Sequence, residues 1–258
     1  MMVQFSNLPL QEVSLRAAFK QRKELAFSDY ASFWKRLPEE FDKSAEADVV
    51  EGSLPQPAQM PLAGRLCGVT FRRKNAELVL LSTSISSRWL NAWHVPYPRF
   101  PELRGVLELG CQELSAVLGT GALEIGIVNI TYANLIIPPQ SSDPTQEALR
   151  YFQPGVVPHM AADKPLHALS LDWHESEGHD FRITLQEWPT QVPLLQEDGS
   201  SAMVDRPAFV ITTTAGTLVG GGGSQWSDLA RMHDVIQPFF LSLLSERALE
   251  EWGYARNN

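Results

Sequence analysis

The sequence predicts an α+β protein, with predominantly antiparallel sheet packed against long helices and two halves of similar make-up. Three observations carry this. Strand-like runs come in clusters joined by turn-like stretches and do not alternate one by one with helices, which disfavours a doubly wound parallel sheet. Two segments, around 100–118 and around 229–243, repeat apolar residues at helical spacing. The chain of 258 residues is 44% apolar and 20% charged, an ordinary globular composition with material for one large domain or two small ones. No internal repeat is strong enough to establish duplication.

Leu8 to Phe19 places Val13, Leu15, Ala17 and Phe19 on one face and predicts a first strand. Ser28 offers a helix N-cap, after which Tyr30, Phe33, Trp34, Leu37 and Phe41 form a helical stripe that Pro38 interrupts. Ser44 to Pro61 is acidic and proline-bearing, and reads as a loop. Arg65–Arg73 and Glu77–Ser86 read as two strands of a hairpin turning at Lys74-Asn75-Ala76. Trp89–Phe100 is too rich in aromatics and proline to be a continuous helix. Pro101 suits a first helical position, and Phe100, Leu103, Leu107, Gly110 and Leu114 continue the stripe until Gly119 and Gly121 close it. Leu123–Ile137, rich in β-branched residues and ended by Pro138-Pro139, predicts a long buried strand.

Gln140–Asp163 is a polar, proline-containing connection with one short helical turn. Leu166–Trp173 and Phe181–Trp188 alternate across Glu177-Gly178 and predict a second hairpin. A polar loop around Glu197-Asp198-Gly199 precedes a strand at Pro207–Val219. Gly220–Gly223 then leads to a final helix capped by Ser224 or Ser227, with Leu229, Met232, His233, Ile236, Phe240 and Leu243 on one face and a kink at Pro238. Ser245 restarts a last turn ending at Gly253. The expected organisation is an N-terminal half over 1–140, a connecting segment over 141–164, and a C-terminal half over 165–258 of three strands and a helix, either as two units or as one continuous domain.

Acidic residues outnumber basic ones 30 to 21, a formal net charge of -9. That field repels polyanions, so general binding to nucleic acid or anionic membrane is not expected, although a local basic patch remains compatible with it. Cys67 and Cys111, the two cysteines, have neither a paired nor a metal-type spacing and read as small buried apolar residues in a reducing compartment. The first residues lack the basic and apolar regions of a signal peptide, and the apolar stretches fall short of a membrane span. A cytoplasmic location is the expectation.

Four groups of residues could carry chemistry. Arg88, Trp89, Trp93, Tyr97 and Arg99 interleave bases with rings, a mixture that can stack a base-like ligand or form an interaction hot spot. The same rings could equally cover the core where strand meets helix. His174, Glu175, Glu177 and His179 crowd one hairpin tip, where they could converge on a divalent metal. Their spacing matches no established zinc motif, and a solvated acidic turn explains them as well. The glycine run Gly220–Gly223 before a helix could cradle an anion, but it lacks the lysine of a P-loop, and Asp228 would repel a phosphate. Asn129, Thr131, Tyr132 and Asn134 put polar atoms into a buried strand, lining a pocket or pinning a loop, and His233 reads as a satisfied core histidine. Serines 82, 84, 86 and 87 lack a nucleophile elbow.

Three segments in order, Trp93 with Tyr97-Pro98-Arg99-Phe100, then Ile130-Thr131-Tyr132-Ala133-Asn134, then Asp228 through His233 to Glu251-Trp252-Gly253, resemble a sporadically distributed family of uncharacterised bacterial proteins of about this length. The resemblance spans nearly the whole chain. Tyr254 stands where that family often has an arginine. It implies no activity, cofactor or catalytic residue; its patchy distribution implies an accessory or sensing role in a defence-type system.

The functional expectation is a binding or interaction module rather than an enzyme, with no cofactor, recognising a partner protein or small ligand, as a single copy or a homodimer. The alternative is a metal-dependent hydrolase or nuclease using the hairpin with His174 and His179, and a third reading encloses an apolar ligand between sheet and helix.

Overall fold

The computed structural model describes residues 10–41, 68–119, 121–137, 144–153, 168–174, 179–187, 190–195, 201–206, 208–218 and 225–252. The chain opens with β1 (Leu10–Phe19) and α1 (Phe27–Arg36), followed by a meander of β2 (Gly68–Arg73), β3 (Ala76–Leu81) and β4 (Ser84–Leu90). A single 3-10 turn at Asn91–Trp93 leads to α2 (Phe100–Leu118) and β5 (Ile125–Ile136). Then come α3 (Pro144–Leu149), the hairpin β6 (Ala168–His174) and β7 (His179–Glu187), the ribbon β8 (Thr190–Leu195) and β9 (Ser201–Arg206), β10 (Phe209–Leu218), α4 (Gln225–Leu243) and α5 (Glu246–Glu251). Eight strands form one sheet in the order β2-β3-β4-β1-β5-β10-β7-β6, and β8 and β9 form a separate pair. The fold is α+β with antiparallel sheet: β2 with β3, β3 with β4, β6 with β7 and β8 with β9 all run antiparallel.

By its internal contacts the chain divides into two compact units, neither continuous in sequence. One comprises Val13–Ile130 and Gly216–Arg231; the other comprises Met1–Glu12, Thr131–Ala215 and Met232–Asn258. The strands β1, β5 and β10 each contribute to both.

In the first unit the predicted stripes find their partners. Val13, Leu15 and Ala17 of β1, Leu78 and Leu80 of β3 and Ile85 of β4 are fully buried, as are Leu103, Leu107 and Leu114 of α2. Each such leucine removed from water contributes about 1.5–3 kcal/mol. Pro101 occupies the first turn of α2, and Gly119 takes a φ of 95° at its end, a conformation costly for other residues. Phe33 of α1 meets Phe71 of β2 edge to face, with ring centres 5.2 Å apart. The helix stops at Arg36, before Pro38.

Some expectations are corrected. Ser28 does not cap α1: the cap position is Ala26, and the Asp29 carboxylate accepts its backbone N–H at 2.8 Å. Asp29 thus supplies the return bond of a capping box, to the cap residue's own N–H, while Ala26 has no side-chain acceptor to offer the helix. The expected strand Glu77–Ser86 is two strands, because the chain turns at Ser82-Thr83 and returns as β4, which carries Trp89. The polar stretch around Glu197–Gly199 is flanked by two further strands, β8 and β9, that the sequence does not predict. Pro193 lies within β8, tolerated because a two-stranded pair has free edges on both sides. Ser227 lies inside α4, which already begins at Gln225. The loop expected at Ser44–Pro61, the glycines at 220–223 and the tip at 175–178 fall outside the described residues.

The core of the second unit gathers Ile136, Ile183, Leu185, Phe209 and Ile211 from the sheet with Leu243, Leu244, Ala248 and Trp252 from the C-terminal helices and the residues flanking them. Pro238 lies inside α4, where it withholds one ladder hydrogen bond. Ser245 caps α5, accepting the Ala248 N–H at 3.3 Å, where the sequence predicts that a last turn restarts. No helix among the described residues is long and apolar enough to cross a membrane.

Candidate functional site

Strand alternation divides the aromatic candidates. Ser87 of β4 donates its hydroxyl to the Leu103 carbonyl of α2 at 2.8 Å, so the odd positions of β4 face the helix. Trp89 shares that face and is 4% exposed. Its indole N–H donates to the Val95 carbonyl at 3.1 Å, and its ring meets Tyr97 edge to face at 5.5 Å. Trp89 and Tyr97 therefore fold the 91–99 segment back onto the end of β4. Trp93 closes the 3-10 turn, and Arg99 is exposed at the entry to α2 with φ 71° and ψ 153°, a strained pairing for a residue with a side chain. His94 is also left-handed, with φ 54°. The segment is a tightly bent bracket.

Arg88 is on the opposite face from Trp89. The register aligns Arg72 with Glu77 and Glu77 with Arg88 across three strands. Glu77 is fully buried, with Arg72 at 3.1 Å from one carboxylate oxygen and the Nε–H of Arg88 donating to the other at 2.6 Å. A carboxylate out of water needs such partners, and two guanidiniums supply them. Arg88 and Trp89 thus point to different sides of one sheet and do not form a single contact surface.

In the β6–β7 hairpin the register pairs His174 with Asp180. Positions 174 and 179 then have opposite parity along the ribbon. Glu175 and Glu177 lie outside the described residues, among which no group of three potential metal ligands gathers.

Sequence reasoning missed a cleft in the first unit. About 330 Å³ in volume, it is lined by Glu108, Cys111, Gln112 and Ser115 of α2, by Leu123 and Ile125 at the start of β5, and by Gln225 and Trp226 in the first turn of α4. The α2 residues recur at helical spacing along the flank of the apolar stripe, so their polar character looks like an ordinary solvated edge. That pattern was the available signal, and only the return of α4 from far along the chain gives it a second wall. Glu108 pairs with Arg104 one turn earlier at 3.1 Å. Burial, helped by the nearby Glu108 charge, pushes the Cys111 thiol up to about 12. It stays protonated near neutral pH and is a poor nucleophile there. What the walls offer a ligand is an indole, two amides, a hydroxyl and a carboxylate around two aliphatic side chains.

In the second unit Tyr132 and His233 come together, with the tyrosine hydroxyl 2.8 Å from the imidazole Nδ1. Burial lowers the His233 pKa, opposed by the adjacent Asp234 charge. The expectation of a satisfied core histidine describes this geometry. No protein-family model matches the chain, and no curated protein matches it.

Proposed function

We propose that this chain is a binding module that takes a small hydrogen-bonding ligand in the cleft between α2, the start of β5 and the start of α4. The observation that carries the reading is the cleft's make-up: about 330 Å³, with polar groups from α2 and α4 converging around an indole and an aliphatic floor at the start of β5. The volume falls in the range of small-molecule sites, and the polar share of the walls suits a ligand that forms hydrogen bonds. The protonated thiol of Cys111 favours recognition over nucleophilic chemistry. An accessory or sensing role, as the resemblance to a patchily distributed bacterial family suggests, fits a module of this kind.

Native mass spectrometry of the protein captured gently from its host tests the proposal. The expected result is a mass above 28.8 kDa by that of a small molecule. Trp226→Ala and Gln112→Ala should each reduce its occupancy at least about tenfold, the loss of roughly 1.4 kcal/mol of contact, while leaving the melting temperature of the free protein within a few degrees. A bare protein, or unchanged occupancy in both variants, would reject the cleft as the site.

A further inference from the structure

The helix-bearing face of β5 and β10 carries a small polar island. Asn134 and Thr213 are each 1% exposed. Among the described residues, neither the Asn134 Oδ1 nor the Thr213 Oγ1 has a hydrogen-bond partner. Their relative placement follows from two contacts on the neighbouring rows. The hydroxyls of Thr131 and Thr214 meet at 3.1 Å, and a Cβ at Gly216 would sit 3.5 Å from that of Asn129. Only an antiparallel register satisfies both, and continuing it sets Tyr132 opposite Thr213 and Asn134 opposite Ile211. Asn134 is then the diagonal neighbour of Thr213 on the same face, within about 7–8 Å backbone to backbone. At the other end of the island the Tyr132 hydroxyl engages His233 of α4.

Two buried oxygens left unpaired on adjacent strands forfeit their hydration without return, and native interiors rarely keep such atoms empty-handed. They do not satisfy each other, since no bond joins them. The chemistry that serves both is a molecule small enough for a closed interior that can donate to the amide oxygen while donating to or accepting from the hydroxyl. We infer that this island binds an ordered internal water, bridging Asn134 Oδ1 and Thr213 Oγ1 beneath α4. Buried waters make about 3 hydrogen bonds each, and the Tyr132–His233 pair beside Thr213 supplies the polar surroundings for the third. The site is separate from the cleft and does not depend on it.

Two measurements on the full chain test this. In the native protein, NMR cross-relaxation should show a long-lived water at the Thr213 methyl and the Asn134 side-chain amide. In urea unfolding, Asn134→Leu and Thr213→Val each strand the remaining oxygen and its water, whereas the double variant removes both. The double variant should therefore unfold at a higher urea midpoint than the less stable single variant, and the water signal should vanish. A midpoint for the double at or below that of the less stable single would overturn the bridge. So would the absence of a long-lived water in the native protein, a reading that does not require any variant to fold.

Discussion

His233 and Glu77 show how differently two inward-facing titratable residues are accommodated. Glu77 is bracketed in the interior because the register delivers a guanidinium from each neighbouring strand, Arg72 on one side and Arg88 on the other. His233 has a hydroxyl for a partner, so burial dominates and lowers its pKa. Protonation is therefore costlier in the folded chain than in the unfolded one. The stability this leaves intact above the ordinary histidine value of 6.5 declines as the pH falls through that value towards the lowered one. Between about pH 7.5 and about pH 5.5, His233→Gln should lose less stability than the native chain. The sign of that difference is read from urea midpoints at both pH values. An equal loss in the two proteins would place the pH sensitivity elsewhere.

Helix α2 carries two interior glycines with opposite environments. A Cβ at Gly105 would meet no atom of the described residues within 4 Å, whereas one at Gly110 would fall 2.7 Å from Ile85 Cδ1 and 2.9 Å from Leu78 Cδ2. Gly105 is thus a plain entropic cost, and Gly105→Ala should stabilise the protein by about 0.5–1 kcal/mol. Gly110 lets the helix approach β3 and β4 closely. There the same change gains the helical preference but drives a methyl into buried leucine and isoleucine ends, at a cost of about 1–3 kcal/mol. Gly110→Ala should therefore destabilise on balance, by about 1 kcal/mol. Denaturant unfolding of the pair checks both signs, and a stabilised Gly110→Ala would mean the helix sits farther from the sheet.

At the scale of the molecule, the chain builds each compact unit from separated stretches. The unit that holds most of the N-terminal sequence also needs Gly216–Arg231, which brings the Gln225–Trp226 wall of the cleft. In the sheet β5 lies between β1 and β10, so a fragment ending at residue 140 would leave β5 with an unpaired edge. Such a fragment is expected to show no cooperative thermal transition, while the full chain does; a sharp two-state melt from the fragment would establish an autonomous N-terminal half. The C-terminal end is tied in locally. Tyr151 donates to Glu251 at 2.6 Å and stacks on Trp252, while Arg247 pairs with both Glu147 and Glu251. Burial alone would raise the Glu251 pKa, but the Tyr151 hydroxyl and the Arg247 guanidinium hold it below its ordinary value. This tie contributes above the usual carboxylate range and is lost as the pH falls through the lowered value.

The sequence by itself determined the class of fold and most of the elements, because period, caps and breakers act over a few residues. The stripe of α2 with Pro101 and the closing glycines, the alternation of β1 and the last turn restarting at Ser245 were all legible for that reason. Where a signal was locally ambiguous, tertiary contact decided. Ser82-Thr83 carries no glycine or proline, so only pairing with β3 reveals β4 as a separate strand. Trp89 and Arg88 are adjacent in sequence, and the alternation of a strand sends one to the helix and the other to Glu77. The cleft was invisible because Gln112 and Trp226 are separated by more than a hundred residues of chain. Their polar character says nothing until folding supplies the opposite wall. Local periodicity is written in neighbouring residues, whereas a site belongs to distant ones, and only the closed structure brings those within reach of a single ligand.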